Sequence, residues 1–366
     1  MMRIQSLPDV ESKFKKPESN KGFKLDSFSI PVPGESNLML DAVLASRKDG
    51  YRDFYESERT TKDKVVIHYT VGNVLSDVTT LSPKPATGRT RLSVAYVIAR
   101  DGTIYQLFPS YYWSFHLGKD ALGGNTPGSQ SSIGIELSNF GPLLLSPDKQ
   151  NLETVYSRAE SFKDGKKIVN PPDPYCALTD RDQYIKLDQP YRGYEYFSAH
   201  TDAQYESLII LIRYLTARYN IPREFIEESK RFDATEENAR FSGITTHVNY
   251  RSSGKTDIGP AFDWKRLIDG VKAPQYIRPG ALKFGTIGAA AAGGAAAASG
   301  LATAGVFGSS AVAGPPPSKF PVYQNEEEME QKLIPGTARS RGGFFDEDFG
   351  PAVEEDMEVE ERHWVD

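Results

Sequence analysis

Regular alternation of apolar and polar positions begins near Lys64 and runs to about Val271. VVIHYT (65–70) is a run of β-branched and aromatic residues, which predicts a buried strand. SVAYVIA (93–99) and TIYQLF (103–108) predict two more. Arg100, Asp101 and Gly102 join them, and the Asp-Gly pair signals a tight hairpin. SIGIELSN (132–139) predicts a fourth strand. In TDAQYESLIILIRYLTARYN (201–220), Leu208, Leu211, Ile212 and Leu215 recur at helical spacing. Thr201 or Asp202 is placed to cap that helix, and Pro222 follows its end. GITTHVNY (243–250) predicts a short strand running into a loop, and PAFDWKRLIDGV (260–271) a closing helix. The pattern is that of an α/β fold, a single mixed β-sheet flanked by helices.

The flanks are organised differently. Residues 1 to about 35 are polar and interrupted by Pro8, Pro17, Pro31 and Pro33, which predicts an extended arm. Residues 38–58 predict one or two short helices, so an arm with short helices (1–58) precedes the domain at 59–273. Inside the domain lies a long polar insertion, roughly 145–195, rich in Pro, Asp, Lys and Tyr. From Phe284 to Ser318 no residue is charged, and 287–314 is almost only Ala, Gly and Ser. This low-complexity segment is compatible with a flexible linker or with membrane insertion, since about 20 residues of helix suffice to span a bilayer. Residues 319–366 predict an acidic, disordered tail.

Charge sharpens that division. The formal net charge is −6, but Pro321 to Asp366 alone carry 14 acidic and 4 basic residues, leaving the remainder at +4. No dense basic stripe of the kind that binds nucleic acid is present. Cys176 is the only cysteine, so no intrachain disulfide forms and cysteine-based zinc fingers are excluded. It sits in NPPDPYCALTD with no histidine nearby, which suits an incidental thiol better than a nucleophile. The N-terminal twenty residues have no apolar core of the secretory type, so no signal peptide is expected.

The chain has five histidines: His68, His116, His200, His247 and His363. His68 lies within the first predicted strand and His247 at the end of another, and Asp257 follows ten residues later. A buried strand histidine is commonly a satisfied core residue, and Lys255 with Asp257 also suits a solvated turn. Two imidazoles and one carboxylate, however, form a zinc site of catalytic type, with the fourth position left for water. Ser252, Ser253 and Gly254 let the chain fold back between the ligands. Lys255 would then reach a developing oxyanion, and Glu136 on the central strand is placed to accept a proton. The Tyr-rich run PYRGYEYF (190–197) fits either a glycan-binding wall or a packed loop. His200, beside Thr201, suits a capping or surface role, and His363 falls in the acidic tail.

Six segments in order, VVIHYT, SVAYVIARDGTIYQL, WSFHLG, SIGIELSN, TDAQYESL and THVNYRSSGKTDIGPAFDW, make the chain resemble the type-2 N-acetylmuramoyl-L-alanine amidases, the group of phage lysozyme-amidases and animal peptidoglycan recognition proteins. The resemblance covers about Lys64 to Val271. It implies one zinc per chain on His68, His247 and Asp257, Glu136 as base, and Lys255 stabilising the tetrahedral intermediate. It implies peptidoglycan as substrate and the muramic acid–L-alanine amide as the bond cut. His116 matches the histidine of the family's Trp-His-Ala-Gly-like segment, near the metal but not on it, and either binds substrate or packs. Trp113 and Tyr194 are further substrate-binding candidates. Ala95 replaces a histidine of many relatives, and Ile258 replaces the usual proline, which keeps the ligand and loosens the turn.

A peptidoglycan-binding module without catalysis needs the groove but not the metal, and typically lacks the ligand matching Asp257. The complete ligand set therefore favours an enzyme. Three settings suit a chain without a signal peptide: cytoplasmic recycling of muropeptides, release as an endolysin through a holin, and injection as an antibacterial effector. The last brings secretion machinery and an immunity protein as partners. The Ala/Gly segment and acidic tail lean toward a lytic or injected role, acting on the cell wall or periplasm.

Overall fold

The computed structural model describes residues 14–16, 20, 22–83, 92–163, 166–276, 318 and 320–334. Its centre is a seven-stranded mixed sheet built from β1 (Phe23–Pro31), β2 (Met39–Arg47), β3 (Lys64–Tyr69), β4 (Tyr96–Ile98), β5 (Ile104–Gln106), β6 (Ser132–Leu137) and a late strand, Gly243–Thr246. The spatial order is β1-β2-β5-β4-β6-β3, with Gly243–Thr246 on the far edge beside β3. β4 and β5 form the expected antiparallel hairpin, and Gly102 turns it with φ +83°. β4, β6, β3 and the late strand run parallel, so their C-terminal ends share one edge. In open α/β sheets that edge is where ligands bind.

The N-terminal region departs from expectation. Met39–Arg47 forms a strand rather than a helix, and Phe23–Pro31 pairs with it as an antiparallel hairpin rather than an arm. Leu38, Leu40, Ala42 and Leu44 are all at most 4% exposed, a period of two that only a strand turns to one face. Residues 48–58 are irregular. Their Phe54 and Tyr55 bury into the core, with Tyr55 stacked on Phe108.

The helix Asp202–Tyr219 lies across the sheet, and Thr201 caps its start through the Gln204 amide. Its buried Arg213 interrupts an apolar run for a specific reason. The guanidinium donates to the carbonyls of Gly270, Val271 and Ala273 at 2.8–2.9 Å, so it closes the C-terminal end of the helix Trp264–Lys272, and Nε pairs with Glu35 at 2.6 Å. Orphan carbonyls and the negative helix end are both satisfied.

The insertion is not loop. It adds a second sheet from β7 (Pro142–Leu145), β8 (Asn151–Thr154), β11 (Pro174–Ala177), β12 (Tyr184–Tyr191) and β13 (Tyr194–Ser198), with a separate hairpin of β9 (Glu160–Lys163) and β10 (Lys166–Val169). The fold thus has more than the single sheet expected. Its own small core is Leu143, Leu152, Tyr175, Cys176 and Tyr184. Burial pushes the Cys176 thiol up to about 12, so it packs and stays protonated.

The start of the acidic tail is also folded. Ser29 exchanges backbone hydrogen bonds with Pro321 and Tyr323, extending the outer edge of β1. The helix Glu326–Leu333 follows, with Glu326 and Met329 fully buried. An open sheet edge and an apolar face are covered together. The Ala/Gly segment 284–317 and residues 335–366 lie outside the described residues. Among the described residues, no helix is long and apolar enough to cross a membrane.

Candidate active site

β3 and β6 are in parallel register with His68 opposite Glu136. Both side chains therefore rise from adjacent strands on the same face, near the shared C-terminal edge. The late strand pairs Thr246 with Ile67, so His247 emerges just beyond it, one strand over. The Val248 N–H donates to the Asp257 carbonyl at 3.0 Å, which folds the intervening loop back and brings Asp257 to the histidines.

Three ligand atoms then converge. His68 Nδ1 and His247 Nδ1 are 2.9 Å apart, and Asp257 Oδ2 lies 2.9 Å from His247 Nδ1 and 3.3 Å from His68 Nδ1. All three residues are buried. The outer hydrogen bonds fix the tautomers. His247 Nε2 meets the Leu117 carbonyl at 3.1 Å, an acceptor only, so it must donate. Ser132 Oγ gives its proton to the Gly128 carbonyl at 2.6 Å and therefore accepts from His116 Nε2 at 2.9 Å. Burial and the neighbouring imidazoles hold His116 well below the usual histidine range, so it is neutral and its Nδ1 accepts from His68 Nε2 at 3.0 Å. Burial, reinforced by His247, brings His68 down to about 4.

Each ligand histidine thus spends its one proton outward, and two lone pairs and a carboxylate face each other with no donor among them. Such a set of acceptors fits a cation. Zinc ligands at about 2.0–2.2 Å in a tetrahedron stand about 3.3–3.6 Å apart, somewhat wider than the 2.9–3.3 Å here. The outward N–H bonds are the supports that metal-binding histidines need.

One face of β6 builds the rest. Ser132, Gly134 and Glu136 alternate along it. Ser132 anchors His116. A Cβ on Gly134 would lie 3.2 Å from the His116 ring and 2.7 Å from Val94, so the glycine makes room for the imidazole. Glu136 reaches the cleft with Oε2 buried and unpartnered among the described residues. Burial pushes its carboxyl well above the usual range, Asp257 and Asp77 push it further, and the Lys255 ammonium opposes them.

The cleft is about 1050 Å³, and Glu136, Lys255, His247, Asp257, Arg192 and Tyr194 are among its walls. Of the residues singled out from sequence, Tyr194 is on that wall. His116 faces it only as a buried ring hydrogen-bonded to His68 and Ser132. Trp113 is not at the cleft; its Nε1 donates to Glu58 at 3.2 Å and its ring packs edge-on to Phe115. His200 does not cap the helix, a role Thr201 takes, and it is half-buried. Its ring packs between Phe262 and Tyr205 with both nitrogens buried and unpartnered among the described residues.

Two contributors escaped the sequence reading. Asp77 projects from the helix Val74–Leu81 into the cleft wall, accepts from Ser138 Oγ at 2.6 Å, and is raised by burial to about 7. Arg192 reaches from the insertion to the Lys255 loop. Nothing in local spacing marks either one, because both act across elements far apart in sequence.

Solved structures to which the chain is similar include the following three. The N-acetylmuramyl-L-alanine amidase AmiD from E. coli, in complex with anhydro-N-acetylmuramic acid-L-Ala-D-gamma-Glu-L-Lys, is 21% identical, with 68% of this chain and 66% of that one covered and a TM-score of 0.33. AmpD is 19% identical over 61% of this chain and 98% of its own, with a TM-score of 0.30. The endolysin amidase LysCS from Clostridium intestinale is 15% identical over 61% and 91%, with a TM-score of 0.29. Among curated proteins no sequence matches. The family model for N-acetylmuramoyl-L-alanine amidase (Amidase_2) matches residues 58–260, more than half of the chain and the whole span from His68 to Asp257, so the chain belongs to the N-acetylmuramoyl-L-alanine amidase family.

Proposed function

We propose that the protein is a zinc-dependent hydrolase of the amide between N-acetylmuramic acid and L-alanine in peptidoglycan. The observation that carries this is the convergence of His68 Nδ1, His247 Nδ1 and Asp257 Oδ2, all acceptors, beside an unpartnered Glu136 in the cleft. A module that only binds glycan has no use for such a donor-free cluster.

His68, His247 and Asp257 would hold the metal. When bound, zinc supplies Lewis acidity and lowers the pKa of water to about 7. Glu136 accepts the proton of the attacking water. Burial raises its carboxyl, the direction that favours taking up a proton and handing it to the leaving amine. Lys255 contributes a positive charge toward the carbonyl oxygen as it becomes an oxyanion. His116 and the Leu117 carbonyl keep the ligand imidazoles in the tautomer that leaves Nδ1 free.

Digestion of purified sacculi followed by mass spectrometry tests the reading. Intact stem peptides beginning with L-Ala are expected. Release of glycan fragments or of peptides cut internally would overturn it. We also propose a lytic or injected role rather than recycling, supported by the uncharged Ala/Gly segment and the acidic C-terminal region in the sequence. Lysis on periplasmic but not cytoplasmic expression would support that setting.

A further inference from the structure

The tip of the β12–β13 hairpin touches the chain on both sides of Asp257. Tyr191 pairs with Tyr194, leaving Arg192 and Gly193 as a two-residue turn with φ +48° and +86°. Two consecutive positive φ values are those of the primed hairpin turn, which favours Asn or Gly at the first position. An arginine there carries backbone strain. The same arginine makes contacts that Asn or Gly cannot. Its Nη1 donates to the Arg251 carbonyl at 3.1 Å and, more closely, to the Lys255 carbonyl. These two carbonyls bracket Ser252, Ser253 and Gly254, which are exposed. On the other side of the ligand, the Tyr191 ring lies over Gly259, where a Cβ would come within 2.4 Å of it.

We propose that Arg192 is a positioning residue for the active site. By closing the loop 251–255 it holds the Lys255 ammonium in the cleft and Asp257 on the histidine pair, and the second sheet serves as the rigid base from which it does so. The hydrogen bonds run to backbone carbonyls, so they fix where the loop lies without consuming the Lys255 side chain. A single guanidinium bridging two carbonyls is a geometry that a lysine ammonium reproduces only in part. This inference rests on the hydrolase reading for its catalytic consequence, but not for its structural one.

The test uses the full chain and the substitutions R192N and R192K. Asn tolerates the turn, so R192N removes the clamp while relieving strain. The expected result for R192N is a Tm equal to or above that of the parent, with kcat on peptidoglycan reduced about tenfold or more and KM little changed. Zinc affinity measured by chelator competition should fall roughly 10–100-fold, as for loss of other outer supports. Hydrogen exchange in the metal-free protein should quicken within 251–258 and stay unchanged in β3 and β6. R192K should recover part of each loss. A R192N protein with parental exchange, zinc affinity and kcat would overturn the proposal. So would a fall in Tm with faster exchange throughout, which marks a merely structural residue. If the parent cleaves no amide but exchange and zinc affinity respond as expected, the positioning role stands and the hydrolase reading fails.

Discussion

Glu326 gives the sharpest test of how the C-terminal segment is held. Its carboxylate is fully buried, and it accepts from Tyr96 Oη, from Gln106 Nε2 at 2.9 Å, from the Ser110 amide at 3.1 Å and from Ser110 Oγ at 2.8 Å. Arg218 Nε stands at 3.9 Å as the nearest compensating charge. Glu326→Ala would leave a buried amide, a backbone N–H and a tyrosine hydroxyl without their acceptor, and Arg218 without its buried partner. Breaking a buried charged network from one side costs about 3–5 kcal/mol. At about 2 °C per kcal/mol for a domain of this size, thermal unfolding should begin roughly 6–10 °C earlier. Glu327→Ala is the contrast. Both Glu327 carboxylate oxygens accept from the single Arg218 Nη2 at 2.8 Å, but the side chain is 35% exposed, and such pairs contribute under about 1 kcal/mol. Calorimetry of both variants, with limited proteolysis at 318–334, reads the two effects. Equal, small shifts for Glu326→Ala and Glu327→Ala would refute the reasoning, because burial would then not distinguish them.

Three predictions concern the cleft. Glu136→Gln keeps shape but removes the proton acceptor, so turnover should fall ~10²–10⁴-fold with zinc content unchanged by elemental analysis; wild-type turnover would exclude Glu136 as base. His116→Phe deletes the acceptor for His68 Nε2 while filling the space, and zinc affinity should weaken roughly 10–100-fold in a chelator titration; undiminished affinity would mean that the His68–His116–Ser132 chain does not support the metal. Asp77 titrates from 3.8 in the unfolded chain and about 7 in the native one, so the native state holds the extra proton between those values. Its contribution is fully present below 3.8 and is lost as pH rises through about 7, and Asp77→Asn should flatten the fall in urea-unfolding stability over that window; a slope unchanged by the substitution would show that another group is responsible.

What the sequence disclosed, and what it withheld, follows from how far each signal reaches. The β3, β4, β5 and β6 strands and the helix from Asp202 each carry a local period and a local stop, and they stand where periodicity places them. The first hairpin also has its period, Leu38, Leu40, Ala42 and Leu44, but Asp41 and Arg47 and the flanking turn residues make the same stretch read as short amphipathic helix; pairing with β1 decides between the two. His68, His247, Asp257 and Glu136 were nameable from motif and order. The meeting of His68, His247 and Asp257 at 2.9–3.3 Å, with Glu136 on the strand beside His68, depends on parallel register, which no single segment encodes.

The residues that were not legible share one property: each serves an element remote from its own. Glu326 lies in a run of acidic residues whose composition suits a solvated tail, yet its partners Tyr96, Gln106 and Ser110 are more than two hundred residues earlier. A charge run is solvated only when no buried donors await it. Here a hydroxyl, an amide and a backbone N–H on the sheet and the following loop would otherwise be unsatisfied. Arg192 and Gly134 work the same way, the first as a donor to a loop 59 to 63 residues on, the second as an absence of side chain where another ring must lie. The acidic helix and the insertion therefore complete the domain rather than decorate it. The helix satisfies the polar atoms on one side of the sheet, and the hairpin fixes the ligand loop at the edge where β3, β6 and the late strand end. A truncation after Ala273, the domain boundary expected from the sequence pattern, would leave Tyr96, Gln106 and Ser110 without the Glu326 carboxylate, and such a fragment should be less stable than the full chain by at least as much as Glu326→Ala.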